Sequence, residues 1–403
     1  MSINSQKSVT SYFPIIAFPL WMTIIVVPFL TRSNWTEWNN LSKIMIYYHY
    51  SGIIIFSLLI LVDKPSLLFK CPLIKFEDLT KFLINLFFGI LFYTSIFSID
   101  IVKSISYSIA TYITVLFFSR LWMEEWRRLR IGLLLLGVIL FTLMAAAVLF
   151  HGMPKNRWIG GINPNQFAGL ALTAMVVLFF QSVKIRVIAV LFALSSVLLV
   201  NSRGGLLAVF DFVLFYIFLS LIGRRTLNQL FVLISFISLI FLSLAVFGDE
   251  IWAQVVSITK MYDPNRGFGS GLTGRSQNWD VILNMISERP FVGYGFRTEN
   301  VMTLLIHNAY LKLFLQVGLF SGVIFVLLSI IQGWRMASLC IRYAPTDENT
   351  ANIYRVIASA IFMIMVNGLL ESVMINIGFP LPILFLFFLV TPKNYTSHKA
   401  RGA

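Results

Sequence analysis

The sequence predicts an all-α integral membrane protein of about twelve transmembrane helices, with one long outer loop that contains amphipathic helices. Three observations predict it. Hydrophobic residues make up 58% of the 403 positions and charged residues only 12%, with a mean hydropathy of +0.84, where a soluble domain carries roughly 25% charged residues. Apolar runs recur along the chain at about the 20-residue length that a bilayer-crossing helix needs. Finally, Lys and Arg collect in alternate connections, which is how membrane proteins set their orientation.

Taken in order, the apolar runs place spans near 12–31, 44–62, 80–98, 105–121, 131–150, 167–182, 185–201, 204–222, 229–248, 308–331, 353–372 and 374–391. The first follows Lys7 but is long and lacks a small-x-small cleavage site, so it reads as a retained helix and not a signal peptide. Segments 63–79 and 332–352 read as connectors, and 249–307 is the one insertion large enough to fold. Within it, Ile251, Val255, Ile258 and Tyr262 share a helical face with Trp252 beside them. After the turn residues Asp263 to Gly271, a second helix carries Trp279, Ile282, Leu283 and Ile286 on one stripe. Asp280, Asn284 and Ser287 lie opposite, and Arg289-Pro290 ends it. Both helices are expected in the outer membrane–water interface. The whole of 1–403 reads as one polytopic membrane domain, without linker or short repeat.

With both termini inside, 19 of the 31 Lys and Arg fall in inner segments. Six of the remaining twelve (Lys260, Arg266, Arg275, Arg289, Arg297 and Lys312) lie in or beside 249–307, so the short outer loops are poor in positive charge. The net charge of +14 is therefore mostly topology. Basic residues scattered over inner loops form no continuous patch, which argues against nucleic acid as a partner. Cys71 and Cys340 fall in expected inner loops, so no disulfide is expected and no metal site can be built from them. Paired carboxylates, a P-loop and a Ser-His-Asp arrangement are all missing, and no cofactor is expected.

Several outer polar groups could carry chemistry. Asn201-Ser-Arg203-Gly204-Gly205 opens the eighth span, where free N–H groups and the helix dipole attract an anion and Arg203 offers a fork for phosphate. A tight turn with Arg203 reaching lipid headgroups is the alternative. Asn163-Pro-Asn165 opens the sixth span, with Asn165 either an N-cap or part of a pocket lining. Arg275 and Arg297 bracket the second loop helix, and His307 with Asn308 precedes the tenth span. Guanidinium neighbours would keep His307 neutral and able to act as a base; otherwise it is an interface or capping residue. Among the four His, His49, His151 and His398 lie away from such segments. Asp211 and Glu371 are carboxylates near membrane depth, where charge is expensive and usually functional. Glu371 is expected opposite Arg203 or Arg275.

Ser202-Arg-Gly-Gly205, Thr273-Gly-Arg-Ser276 with Trp279, Pro290 with Gly293-Tyr-Gly295, and His307-Asn-Ala-Tyr-Leu311 with Gly318 and Gly322 together resemble the O-antigen ligase/polymerase superfamily. The resemblance spans about residues 160–331. It implies a bacterial inner-membrane glycosyltransferase that takes a glycan from undecaprenyl diphosphate on the periplasmic side, needing neither metal nor nucleotide sugar. The long loop then becomes a periplasmic catalytic loop. By that likeness Arg203 and Arg275 hold the diphosphate, His307 is the base, and Gly204, Gly205, Asn165, Arg297, Asn308 and Glu371 support them. An O-antigen ligase acting on lipid A–core is the favoured reading. The alternative is an O-antigen or exopolysaccharide polymerase whose acceptor is the next lipid-linked repeat unit; the short Arg275-to-His307 interval leans that way. A transporter of lipid-linked sugar ranks lower, because no inverted repeat or broken span pair is visible.

Overall fold

The computed structural model describes residues 19, 79–122, 126–154, 159, 162–224, 271–298, 306–372, 374 and 379–393. The expected spans at 12–31, 44–62 and 229–248, the first loop helix and Cys71 lie outside the described residues. Among those described, the helices are α1 (Leu79–Ile96), α2 (Ile101–Leu121), α3 (Trp126–His151), α4 (Pro164–Leu178), α5 (Val183–Leu199), α6 (Arg203–Arg224), α7 (Gly271–Glu288), α8 (Ala309–Tyr343), α9 (Glu348–Asn367) and α10 (Pro380–Leu389). No strand accompanies them beyond an isolated bridge between Ile159 and Ile162. Six of these helices (α1, α2, α3, α6, α8 and α9) are long and apolar enough to cross a membrane by length and composition.

Burial sorts the bundle into layers. All ten residues of α10 are buried, and so is nearly all of α4. At 15 residues α4 spans only about 22 Å, less than a hydrocarbon core, so it works as an enclosed central helix with α3, α5, α6 and α10 packed around it. By contrast α3 and α5 present one apolar face outward, Leu149, Val187 and Leu191 among them, as helices at a lipid boundary do.

The expected connector at 332–352 is mostly helix, since α8 continues to Tyr343. Hydropathy falls at Gln332 and Arg335, but both find partners inside the bundle. Gln332 Nε2 donates to the carbonyls of Phe388 and Thr391 at 3.2 and 3.1 Å, and Arg335 Nη1 to Thr80 Oγ1 at 2.9 Å. Polar residues with such partners do not end a helix. Cys340 is accordingly a buried helical residue and not a loop residue.

A break in α8 organises the loop. Gly318 has φ 78°, a left-handed conformation that suits glycine. An unbroken α8 would bond the N–H of Leu319 to the carbonyl of Leu315. Instead Leu319 N–H donates to Pro290 O at 2.7 Å, and the carbonyls of Leu315 and Gln316 accept from Tyr294 and Gly295 N–H at 2.8 and 2.9 Å. Residues 290–298 thus form a strap that re-satisfies the groups the break sets free. Gly293 (φ 63°) allows the close approach, because a Cβ there would fall 2.7 Å from the Gln316 carbonyl. On its other side the strap meets the α1–α2 corner, with Ile99 N–H donating to Tyr294 O at 3.1 Å and Phe296 N–H to Ser104 Oγ at 2.8 Å. Burial and a 2.7 Å hydrogen bond to Glu288 Oε2 push the Tyr294 phenol up from its ordinary value, so it stays a donor.

As expected, α7 ends at Glu288, just before Arg289-Pro290. Its apolar face differs slightly from the expected stripe. Ile282 and Ile286 are buried with Tyr294, Ile306 and Leu315, and Trp279 packs beside them. Leu283 is 51% exposed, at the edge of that face, about 100° round the helix from Ile282. That face is packed on the first turns of α8.

Candidate active site

The N-termini of α4, α6 and α8 meet the C-terminus of α9 at one end of the bundle. Asn163, not Asn165, caps α4: its side chain accepts from Asn165 N–H at 2.9 Å, and Pro164 takes the first helical position. This corrects the reading of Asn165 as the cap and leaves its side chain for other work. Asn165 Nδ2 donates to Glu371 Oε1 at 2.8 Å, and Asn165 Oδ1 accepts from Ser202 Oγ at 3.1 Å. Ser202 in turn caps α6, its Oγ accepting from Gly205 N–H at 3.2 Å.

Glu371 sits one turn beyond α9, its N–H donating to Asn367 O at 2.9 Å. Its second oxygen, Oε2, lies 3.9 Å from His307 Nδ1. The carboxylate side chain is 12% exposed and the imidazole 38%, so the pair has a sheltered side and an open side. Among the described residues a carboxylate, that of Glu371, thus stands beside His307; the side chain of Arg275 lies outside them. At 3.9 Å the pair is beyond hydrogen-bond reach but within charge-contact distance.

Asn308 anchors the histidine's backbone. Its Oδ1 accepts from Tyr310 and Leu311 N–H at 2.9 and 3.0 Å, capping α8, and its Nδ2 donates to Leu369 O at 3.0 Å. With Ala309 N–H donating to Gly368 O at 2.7 Å, α8 and the end of α9 are clamped on either side of His307 and Glu371.

Arg203 stands exposed on the first turn of α6. The two following glycines, expected to admit a ligand, are both buried. A Cβ on Gly205 would lie 2.7 Å from that of Ala168, so this glycine lets α6 close on α4. A Cβ on Gly204 would sit at ordinary contact distance, 3.4 Å, from Glu371 Cγ and from Asn367 Oδ1, so this position faces the end of α9. The space they free is filled by protein, and it brings the turn against the carboxylate. Arg275 lies in the first turns of α7, with its side chain outside the described residues. Arg297 (φ 63°) turns toward α2, its guanidinium 5.5 Å over the Tyr107 ring. Asp211, further along α6, is half-buried, and its Oδ2 has no hydrogen-bond partner among the described residues. Among those residues no group of three or more His, Cys, Asp or Glu could hold a metal ion.

Sequence reasoning singled out Asn165, Glu371 and His307 separately but missed that Ser202 and Asn165 link the glycine turn to the carboxylate. The available signal was that all four stand at helix ends on the same expected side. An almost wholly apolar cavity of about 630 Å³ runs along α6, α8 and α9, lined by Phe215, Phe362, Trp334 and Ile341 and by Tyr310 and Leu369, near neighbours of His307 and Glu371 in the chain.

Residues 188–326, from α5 into α8, match the sequence profile of the family described as O-Antigen ligase. The match contains Arg203, Arg275 and His307 and supports the O-antigen ligase/polymerase superfamily; Asn165 and Glu371 lie outside it. No curated protein matches the chain in sequence.

Proposed function

We propose, with that family match as premise, that the protein is a bacterial inner-membrane glycosyltransferase that moves a glycan from undecaprenyl diphosphate to an acceptor hydroxyl on the periplasmic side. The observation that carries the proposal is the meeting of His307, backed by Glu371, with the Ser202–Gly205 turn that presents Arg203. His307 takes the proton of the acceptor hydroxyl. The hydroxyl oxygen bonds to the anomeric carbon as the bond to the diphosphate oxygen breaks, and configuration inverts. The electron pair leaves with undecaprenyl diphosphate, whose charge Arg203 and Arg275 hold. Diphosphate is already a good leaving group, so cationic stabilisation and one base suffice without a metal. The apolar cavity lined by Tyr310 and Leu369 suits a substrate with a long lipid tail.

The favoured acceptor is lipid A–core, which makes the protein an O-antigen ligase. The short Arg275-to-His307 interval favours the second reading, a polymerase that extends the chain on a lipid-linked repeat unit. The surface glycan of a deletion strain separates them: polymer left on undecaprenyl diphosphate means ligase, and single repeats on lipid A–core mean polymerase. For the chemistry itself, purified protein in detergent should form the glycosidic bond without any ion gradient, which a transporter would not do. Arg203→Ala should abolish product while the protein still inserts. Arg203→Lys should recover only part, because a point charge cannot reproduce bidentate contact. Full activity in Arg203→Ala would sink the diphosphate assignment.

A further inference from the structure

We infer that Asn165 is a positioning residue, which fixes the carboxylate of Glu371 against His307 and ties both to the glycine turn at the start of α6. The inference rests on the reading of His307 as the base. It starts from the valences of the groups involved. Ser202 Oγ accepts the Gly205 N–H at 3.2 Å, so its own proton is left for Asn165 Oδ1, 3.1 Å away. That proton decides which way the amide points: with Oδ1 toward a donor, Nδ2 must face Glu371 Oε1, at 2.8 Å. With Oε1 so engaged, Oε2 is the oxygen that faces His307 Nδ1. The hydrogen bonds therefore run one way, from the Gly205 N–H through Ser202 and Asn165 to Glu371, whose other oxygen lies 3.9 Å from the imidazole.

Two further points separate this from ordinary packing. Asn163 and Pro164 already supply the cap and first position of α4, so the helix start does not need the Asn165 side chain. An amide also carries no ionisable proton at this position. It can hold Glu371 as a carboxylate but cannot trade a proton with it, as an acid or an imidazole there could. Asn165 touches neither reacting atom in this account and acts only through Glu371.

The test is a steady-state transfer assay on the purified full-length protein with undecaprenyl-diphosphate-linked glycan as donor. Outer partners of functional histidines are typically worth about 10–100-fold. Asn165→Ala should lower kcat by a factor in that range and leave the donor KM within about threefold. Asn165→Asp has the same shape, but it loses the donor N–H and sets a second carboxylate against Glu371, so it should be equally poor. Asn165→Gln retains the amide and should recover part of the loss. His307→Gln serves as the control on the underlying reading. If it retains full turnover, His307 is not the base and that reading fails whatever Asn165 does. If it is inactive while Asn165→Ala keeps its kcat, or changes only KM, the base stands and the positioning role is overturned. Should Asn165→Ala not accumulate as folded protein, the contrast between Asn165→Asp and Asn165→Gln decides on the same split.

Discussion

The two ends of this bundle use the same chemical vocabulary and spend it differently. At the end away from His307, Arg355 is 1% exposed, donates to Glu348 Oε1 at 2.9 Å and lies 5.4 Å over the Tyr216 ring. The Tyr216 hydroxyl donates to Asn352 Oδ1 at 2.6 Å and accepts from Arg186 Nη1 at 2.7 Å. Arg186 Nε reaches Gln181 O at 2.9 Å, and Gln181 exchanges bonds of 2.9 and 3.1 Å with Arg130. Short bonds knit the ends of α3, α4, α5, α6 and α9 into one network. At the His307 end a carboxylate, an amide and a hydroxyl are bonded just as tightly, but the chain of contacts stops at an imidazole 3.9 Å from its partner and open on one side. A network whose members bond mainly to one another stabilises a fold. One that ends on a titratable ring with an open side is fit to accept a proton from something else.

The largest effect should separate the two ends outright. General-base catalysis contributes about 10²–10⁴-fold, so His307→Gln should lose at least about a hundredfold in transfer while its melting temperature in detergent stays at the wild-type value. A melting temperature that drops with activity would put His307 among the structural residues and erase the contrast. Next comes the Arg355 end. Breaking a buried ion pair by removing one partner costs about 3–5 kcal/mol. Glu348 is nearly half exposed, so Arg355→Ala should cost less, about 2–3 kcal/mol in chemical denaturation. Activity per folded molecule should be unchanged; a selective loss of activity would mean this end takes part in the reaction. The smallest effect belongs to Asn308, a neighbour of His307 whose amide is already committed to two helix N–H groups and the Leu369 carbonyl. Asn308→Ala should cost about 1 kcal/mol of stability, the usual value of a helix cap, and reduce turnover only modestly. A collapse in turnover without loss of stability would show that Asn308 meets the substrate.

How far each residue was legible follows from the range over which its structure is determined. The all-helical character and the positions of α1 to α6, α9 and α10 came through because hydropathy and capping are local properties that a short window contains. The end of α7 at Arg289-Pro290 was readable for the same reason, since the residue before proline avoids the helical conformation. The continuation of α8 past Gln332 was not, because those side chains find partners on α1 and near α10, far away in the chain. Glycine roles were half legible. The sequence shows that Gly204, Gly205, Gly293 and Gly318 stand at special points, but what occupies the space beside each is a question of which helix lies across from it.

By itself, the sequence determined that this is a helical chain with membrane-spanning segments. It also put Asn165, Arg203, His307 and Glu371 at helix ends on one expected side, for apolar run length and cation placement act residue by residue against the surrounding solvent. Only the tertiary structure decided that Asn165 bridges Ser202 and Glu371, that Glu371 turns to His307, and that the strap at 290–298 fills the break in α8. Those contacts join residues up to 206 positions apart. A hydrogen bond acts over about 3 Å, so its partner is set by how the helices cross, and no window along the chain contains that information.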